Sequence, residues 1–238
     1  MDTEPDVTPD GVPGETTPRS RASWFGRHIP LVSGAAFLIV AVLLGVVLVV
    51  RQQALLLGLD EEWAEEMVEI RGPVGNALAL FFNYAGGTVI GALVIPLLTV
   101  VALLIARRRW AAFYFAVASA ASAIAVQLLK QLFGRARPAD MLVVSDYGSF
   151  PSGHVANAAT VAVAIGVIFP VVWVWTAGAV WTVLMAVSRT YLGAHWFTDT
   201  VGGFLVGAGM ALVLWAPFAE RLERERLGLR APAGTTTL

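Results

Sequence analysis

From Val155 to Val187 the chain runs for 33 residues without a charged side chain. A soluble domain of this size has no interior deep enough for such a run, whereas a bilayer has. Four further apolar stretches accompany it. The first is Leu31–Val50, closed by Arg51; the second lies within Gly86–Ala106, closed by Arg107, Arg108 and Arg109; the third is Trp110–Leu129, closed by Lys130. Phe169-Pro170 divides the long run into a fourth and a fifth span, because proline favours a break. The last span goes from Val201 to about Phe218, closed by Glu220. Spans one to three have the roughly 20 residues that about 30 Å of hydrocarbon requires. The fourth and fifth are near the lower limit.

Composition agrees: the mean hydropathy is +0.72, and only 14% of residues are charged. The expected fold is therefore an all-α integral membrane protein, a six-helix transmembrane bundle. Three parts are expected: a disordered tail over 1–28, a six-span domain over 29–219 and a C-terminal tail over 220–238. Residues 1–22 are rich in Pro, Thr, Asp and Glu, without apolar periodicity, which is why the first part reads as disordered. The first apolar run begins too late and is too long for a cleaved signal, so it reads as a retained span. No basic stripe suggests nucleic acid, and a chain without cysteine forms neither disulfides nor thiolate metal sites.

Arginine placement orients the bundle. An even number of spans puts both tails on one side. That side would carry Arg19, Arg21, Arg27, Arg107, Arg108, Arg109, Arg221, Arg224, Arg226 and Arg230, and the other only Arg51, Arg71, Lys130, Arg135, Arg137 and Arg189. The tails are thus expected in the cytoplasm of a cell whose plasma membrane the protein spans. The connection 52–72 carries six acids and an apolar stripe, Trp63, Met67 and Ile70, at helical spacing. An interfacial helix with solvated acids accounts for it; a substrate gate is the other reading.

Three polar clusters interrupt the apolar chain, and all three fall on the non-cytoplasmic side. The sole lysine, Lys130, ends the third span, with Arg137-Pro138 seven residues on. Two cations beside apolar surface need an anion, and no acid precedes Asp140 in this stretch; phosphate suits a guanidinium fork and an ammonium point charge. Pro151-Ser152-Gly153-His154 opens the fourth span. Ser152 is a good N-cap residue, Gly153 lets a ligand approach backbone closely, and helix-start amides attract anions. Ser188-Arg189 and His195-x3-Asp199 bridge the fifth and sixth spans. One helical turn would put His195 and Asp199 on one face, where the carboxylate fixes the imidazole tautomer and stabilises the cation formed after attack.

Together these groups suit phosphoryl transfer through a covalent intermediate. His195 attacks phosphorus; Lys130, Arg137, Arg189 and the Ser152/Gly153 amides hold the equatorial oxygens. His154 donates to the leaving oxygen and then activates water. No metal is needed, since the positive charge is built in, and no cofactor is expected. An anion transporter or lipid binder would explain the arginines but not the His195/Asp199 pair or the second histidine.

In order and spacing, the clusters resemble the signature of the type 2 phosphatidic acid phosphatase superfamily, the lipid phosphate phosphatases. Lys130, Arg137, Pro138, Pro151, Ser152, Gly153, His154, Ser188, Arg189, His195 and Asp199 all fit it, and Phe150 and Gly193 are also similar. The resemblance implies a helical membrane core, metal-independent hydrolysis of phosphate esters or pyrophosphates, and vanadate inhibition. Phosphatidic acid, phosphatidylglycerol phosphate and undecaprenyl pyrophosphate are the substrates it offers. Transfer of the phosphoryl group to an alcohol acceptor instead of water is the alternative chemistry. The sequence leaves the oligomeric state open.

Overall fold

A computed structural model describes residues 19–51, 54–87 and 89–228. Its elements are helical throughout: α1 (Arg19–Val46), continuing through a π turn at Val47–Arg51; α2 (Ala54–Glu69); α3 (Pro73–Ala85); α4 (Ile95–Ile105), entered through a π turn at Ile90–Val94; α5 (Arg109–Phe133); α6 (Gly153–Ile168); α7 (Val172–Tyr191); α8 (Phe197–Trp215); and α9 (Ala219–Arg226). Four of the described helical segments are long and apolar enough to cross a membrane, and a fifth candidate is α3 with α4, bent by 42° at their break. The bundle exterior is apolar: Leu97 and Leu132 are exposed by 58% and 70%, an arrangement that lipid tolerates and water does not. The protein is integral to the membrane.

Several features depart from the pattern expected from sequence. The second span is broken, because Gly86-Gly87 ends α3 and only the π turn and Pro96 start α4. α6 has 16 residues, about 24 Å of helix, short of a full crossing. Of the expected 1–28 tail, residues 1–18 lie outside the described residues, while Arg19–His28 already form α1. Residues 229–238 also lie outside the described residues. The 220–238 segment includes most of α9, whose Glu225 carboxylate accepts from the Trp110 and Ala111 amides at 2.6 and 3.0 Å and so caps α5.

Small residues set how closely the helices approach. On α8, a Cβ at Gly207 would overlap the Ala156 carbonyl, and one at Gly203 would lie 2.5 Å from the Ser152 carbonyl. α8 therefore lies directly against the first turns of α6, a packing typical of membrane helices. Gly34 on α1 and Gly209 on α8 meet in the same way on the other flank of α8. Between α5 and α8, the buried Tyr114 hydroxyl donates to the Ala211 carbonyl at 2.9 Å. The Thr160 hydroxyl on α6 donates to Ser122 on α5 at 2.8 Å. These contacts bring the C-terminal ends of α5 and α7 and the N-terminal ends of α6 and α8 to one end of the bundle. Arg107–Arg109 and α9 gather at the other end.

Candidate active site

α5 ends on Gly134, a left-handed residue at φ 54° whose amide bonds the Lys130 carbonyl. The chain then runs back across the bundle end, presenting first Arg135 and then Arg137. Arg137 is held by backbone carbonyls: Nε donates to Asp146 O at 3.0 Å, NH2 to Gly148 O at 2.8 Å and NH1 to Ala194 O. NH1 also lies 3.3 Å from His195 Nε2. Lys130, buried, donates from Nζ to Gly148 O at 2.7 Å. The first cluster thereby meets the third.

His195 sits in the turn before α8, not on the helix. The expected one-turn pairing with Asp199 is replaced by a capping arrangement. Asp199 Oδ2 accepts the Trp196 amide at 2.9 Å, and His195 Nδ1 approaches the same oxygen at 3.6 Å, beyond hydrogen-bond range. Arg137 has only donors, so Nε2 faces it with its lone pair and the ring proton belongs on Nδ1, toward Asp199. Burial, followed by the charges of Arg189, Arg137 and Lys130, holds the His195 pKa well below its ordinary value. The imidazole is neutral with its lone pair available. Gly193 shapes this turn: it adopts φ 66°, and a Cβ there would overlap the Asp140 carbonyl.

Asp199 is fully buried, and its second oxygen is held by a residue that the sequence did not single out. Arg135 donates from NH1 to Asp199 Oδ1 and from NH2 to Asp60 Oδ2, both at 2.7 Å. Asp60 belongs to α2 and also accepts the Thr198 amide at 2.9 Å and hydroxyl at 2.6 Å. One of the six acids expected to be solvated is therefore buried in the network behind His195. The apolar stripe on α2 survives in part. Met67 is buried and Trp63 stacks 5.2 Å from Phe197, but Ile70 lies beyond the helix and is exposed.

The second cluster joins through backbone. Ser152 donates its amide to the Asp199 carbonyl at 2.9 Å and occupies the N-cap position of α6. Its hydroxyl does not cap the helix; it is buried without a hydrogen-bond partner. A Cβ on Gly153 would meet only Val126, at 3.6 Å, so no protein neighbour demands glycine there. His154 donates from Nε2 to the Asn83 carbonyl at 3.2 Å, and the Asn83 side chain accepts from Arg189 NH1. Asn83, at the end of α3, thus touches both a histidine and an arginine of the clusters. Arg189 Nε is buried and unpartnered. Ser188 points away, donating to the Ala79 carbonyl at 3.0 Å. Pro138 lines a separate cleft beside α2, and Pro151 is buried next to Ser152.

A cavity of about 590 Å³ opens onto this end of the bundle, lined by Lys130, Asp146, Gly153, His154, Arg189 and His195. The two cations of the first cluster also have a partner that the sequence did not foresee. Asp146 Oδ1 lies 2.7 Å from Arg137 NH2 and 3.3 Å from Lys130 Nζ. Among the described residues, no group of three or more His, Cys, Asp or Glu side chains converges as metal ligands would.

Residues 111–222 match the model of the PAP2 superfamily, and that range contains all three clusters. Over that range the chain is similar to this superfamily. Phosphatidylglycerophosphatase B of Bacillus subtilis (strain 168) is 29% identical over 187 residues, covering 70% of this chain and 86% of that protein. Undecaprenyl-diphosphatase of Sulfolobus acidocaldarius is 38% identical over 69 residues, 29% of this chain and 32% of that one. Lipid A 1-phosphatase of Rhizobium johnstonii is 30% identical over 126 residues, with 47% and 49% covered. In fold, the chain resembles the crystal structure of a transmembrane PAP2 type phosphatidylglycerolphosphate phosphatase from Bacillus subtilis, with a TM-score of 0.69 and 24% identity over 79% of this chain and 96% of that one. Aquifex aeolicus LpxE superposes with a TM-score of 0.57, also at 24% identity, over 64% of this chain and 92% of that one. Relatives named as phosphatases thus match this chain, one of them over 70% of its length.

Proposed function

We propose that this chain is a PAP2 phosphatase of the plasma membrane that hydrolyses lipid phosphate monoesters or polyprenyl pyrophosphates at its non-cytoplasmic face. The observation that carries the reading is the Arg137–His195 approach: a neutral imidazole presents its lone pair beside a guanidinium fixed by three carbonyls, on a cavity shared with Lys130, His154 and Arg189. A phosphate oxygen entering the cavity replaces Nε2 as the guanidinium's partner. Nε2 then bonds to phosphorus as the bond to the leaving oxygen breaks. His154, which takes up a proton from water as the phosphate's negative charge enters beside it, passes that proton to the leaving oxygen. Water cleaves the phosphohistidine: His154 takes the water proton, the water oxygen bonds to phosphorus, and the N–P bond breaks to release inorganic phosphate. Asp199 holds the imidazolium that forms. Lys130, Arg137, Arg189 and the Gly153 amide bind the equatorial oxygens; the Ser152 amide, expected among them, is taken up by the Asp199 carbonyl. Each well-placed donor of this kind contributes about 2.7–4 kcal/mol to lowering a barrier.

Arginine placement supports the orientation. Six spans, with α3–α4 as the broken second and α6 as the short fourth, leave both tails cytoplasmic beside Arg107–Arg109. Lipid substrates follow from the apolar exterior and from what the relatives are named for: phosphatidylglycerophosphate, undecaprenyl diphosphate and lipid A. The test is a phosphate-release panel over lipid monophosphates and polyprenyl pyrophosphates in detergent. Wild-type protein releases phosphate from at least one substrate, in excess chelator as well. His195→Ala binds that substrate without turnover. Turnover persisting in His195→Ala ends the nucleophile assignment, and loss of activity in chelator restored by Mg²⁺ ends the built-in-charge mechanism. Phosphate release that falls as an added acceptor lipid becomes phosphorylated would favour transfer over hydrolysis.

A further inference from the structure

Asp146 reaches both cations that the proposed mechanism assigns to the substrate phosphate, with a carboxylate that neither cation needs for its placement. Arg137 is already fixed through Nε, NH1 and NH2 by the carbonyls of Asp146, Ala194 and Gly148, and Lys130 by the carbonyl of Gly148. Removing the Asp146 side chain leaves every one of those bonds in place. What the carboxylate adds is charge. One oxygen, Oδ1, lies 2.7 Å from Arg137 and 3.3 Å from Lys130, where an oxygen of a bound phosphate would bridge the same two groups. Asp146 also lines the cavity that contains His195, and its side chain is 60% exposed, whereas Lys130 and Arg137 are buried. Rotation about its own side-chain bonds takes the carboxylate into water without disturbing the fold.

We infer that Asp146 is an internal competitor of phosphate, a carboxylate that occupies the Lys130–Arg137 cation pair in the resting enzyme, is displaced by the substrate phosphoryl group, and returns to help expel inorganic phosphate. This rests on the phosphate-binding reading of the two cations. The role fits a site with fixed positive charge, which would otherwise hold its monoanionic or dianionic phosphate product as firmly as its substrate. Competition lowers affinity for phosphate; a positioning role would raise it. The sign of one substitution therefore separates the two.

The experiment is calorimetric titration of the purified protein in detergent with inorganic phosphate and with orthovanadate, for wild type, Asp146→Asn, Asp140→Asn and Arg137→Ala. Asp146→Asn is expected to bind both anions about five- to tenfold more tightly, the size of two partly exposed ion pairs relieved. Its turnover should also show stronger inhibition by added phosphate. Asp140→Asn, which removes an equal charge elsewhere in the same loop, should change binding by less than about twofold. Unchanged or weaker binding in Asp146→Asn, or equal tightening in Asp140→Asn, overturns the inference while leaving the site reading intact. Wild type and Asp146→Asn both binding neither anion, or Arg137→Ala binding as wild type does, overturns the phosphate-binding reading and the inference with it.

Discussion

Arg135 grips Asp199 through a 2.7 Å ion pair in which neither side chain is exposed, and its other arm holds Asp60 at the same distance. A buried guanidinium between two buried carboxylates is stable only as a complete set, since removing any member strands charge in a low-dielectric interior. Arg135→Leu should destabilise the protein by about 3–5 kcal/mol, read as a fall in thermal midpoint in detergent. Arg135→Lys should keep part of the stability but lose most of the turnover, because an ammonium cannot serve both carboxylates in the fork geometry. Asp60→Asn and Asp199→Asn combined should be non-additive by about 0.5–3 kcal/mol; strict additivity would show that Asp60 is not coupled to the carboxylate behind His195.

That network also marks the limit of what the sequence made legible. Membrane integration, the helical fold and the convergence of Lys130, Arg137, His154, Arg189 and His195 followed from apolar runs and polar spacing, because each is written locally. Asp60 and Arg135 were not legible. The first was one of six acids on a helix that looked solvent-facing, and the second was counted only as a cation orienting the bundle. Their importance arises from a contact across 75 positions of chain, which no local pattern encodes. The same holds for Asn83 and Asp146, single polar residues with no spacing partner. α3 was missed for another reason: the second span was expected within Gly86–Ala106, so the apolar segment Pro73–Ala85 ahead of Gly86-Gly87 was assigned to no helix.

His195 gives the protein an acid-sensitive stability. Its folded pKa is depressed, so the folded state does not take up the proton that the unfolded chain binds near the ordinary value of about 6.5. The unfolded state therefore binds more protons as pH falls below about 6.5, and stability declines by up to about 1.4 kcal/mol per pH unit from this group. The contribution is fully present above about pH 7.5. Thermal midpoints measured from pH 7.5 to 5.5 should fall more steeply for wild type than for His195→Asn. Parallel curves would mean that the imidazole titrates normally in the folded state.

Gly207 tests whether the α6–α8 approach positions the site. Its missing Cβ leaves room for the Ala156 carbonyl, a backbone atom that cannot rotate aside. Gly207→Val should push α8 off α6 and cost about 1–3 kcal/mol or more. It should also abolish turnover, since the Ser152 amide and Asp199 carbonyl that face each other across this seam would separate. Gly58 on α2 makes the contrast: nothing lies within 4 Å of its Cβ position, so Gly58→Ala should stabilise by about 0.4–1 kcal/mol with activity retained.

Asn83 is the residue through which α3 enters the chemistry. Its side-chain oxygen accepts from Arg189 NH1, while its backbone carbonyl accepts from His154 Nε2 at 3.2 Å. A substitution removes only the first of these. Asn83→Ala leaves a buried guanidinium, whose Nε is already unpartnered, without its side-chain acceptor. A hydrogen bond to a charged group is worth about 1.5–3 kcal/mol, so kcat/KM should fall by about 10- to 100-fold. The loss should appear equally in the inhibition constant for vanadate, because Arg189 is assigned to hold the equatorial oxygens and loses its orientation. His154 keeps its carbonyl partner in this variant, so the limb of the pH–rate profile belonging to the acid–base group should not move. A displaced limb with unchanged vanadate affinity would assign Asn83 to His154 instead, and α3 would then tune proton transfer rather than phosphate binding.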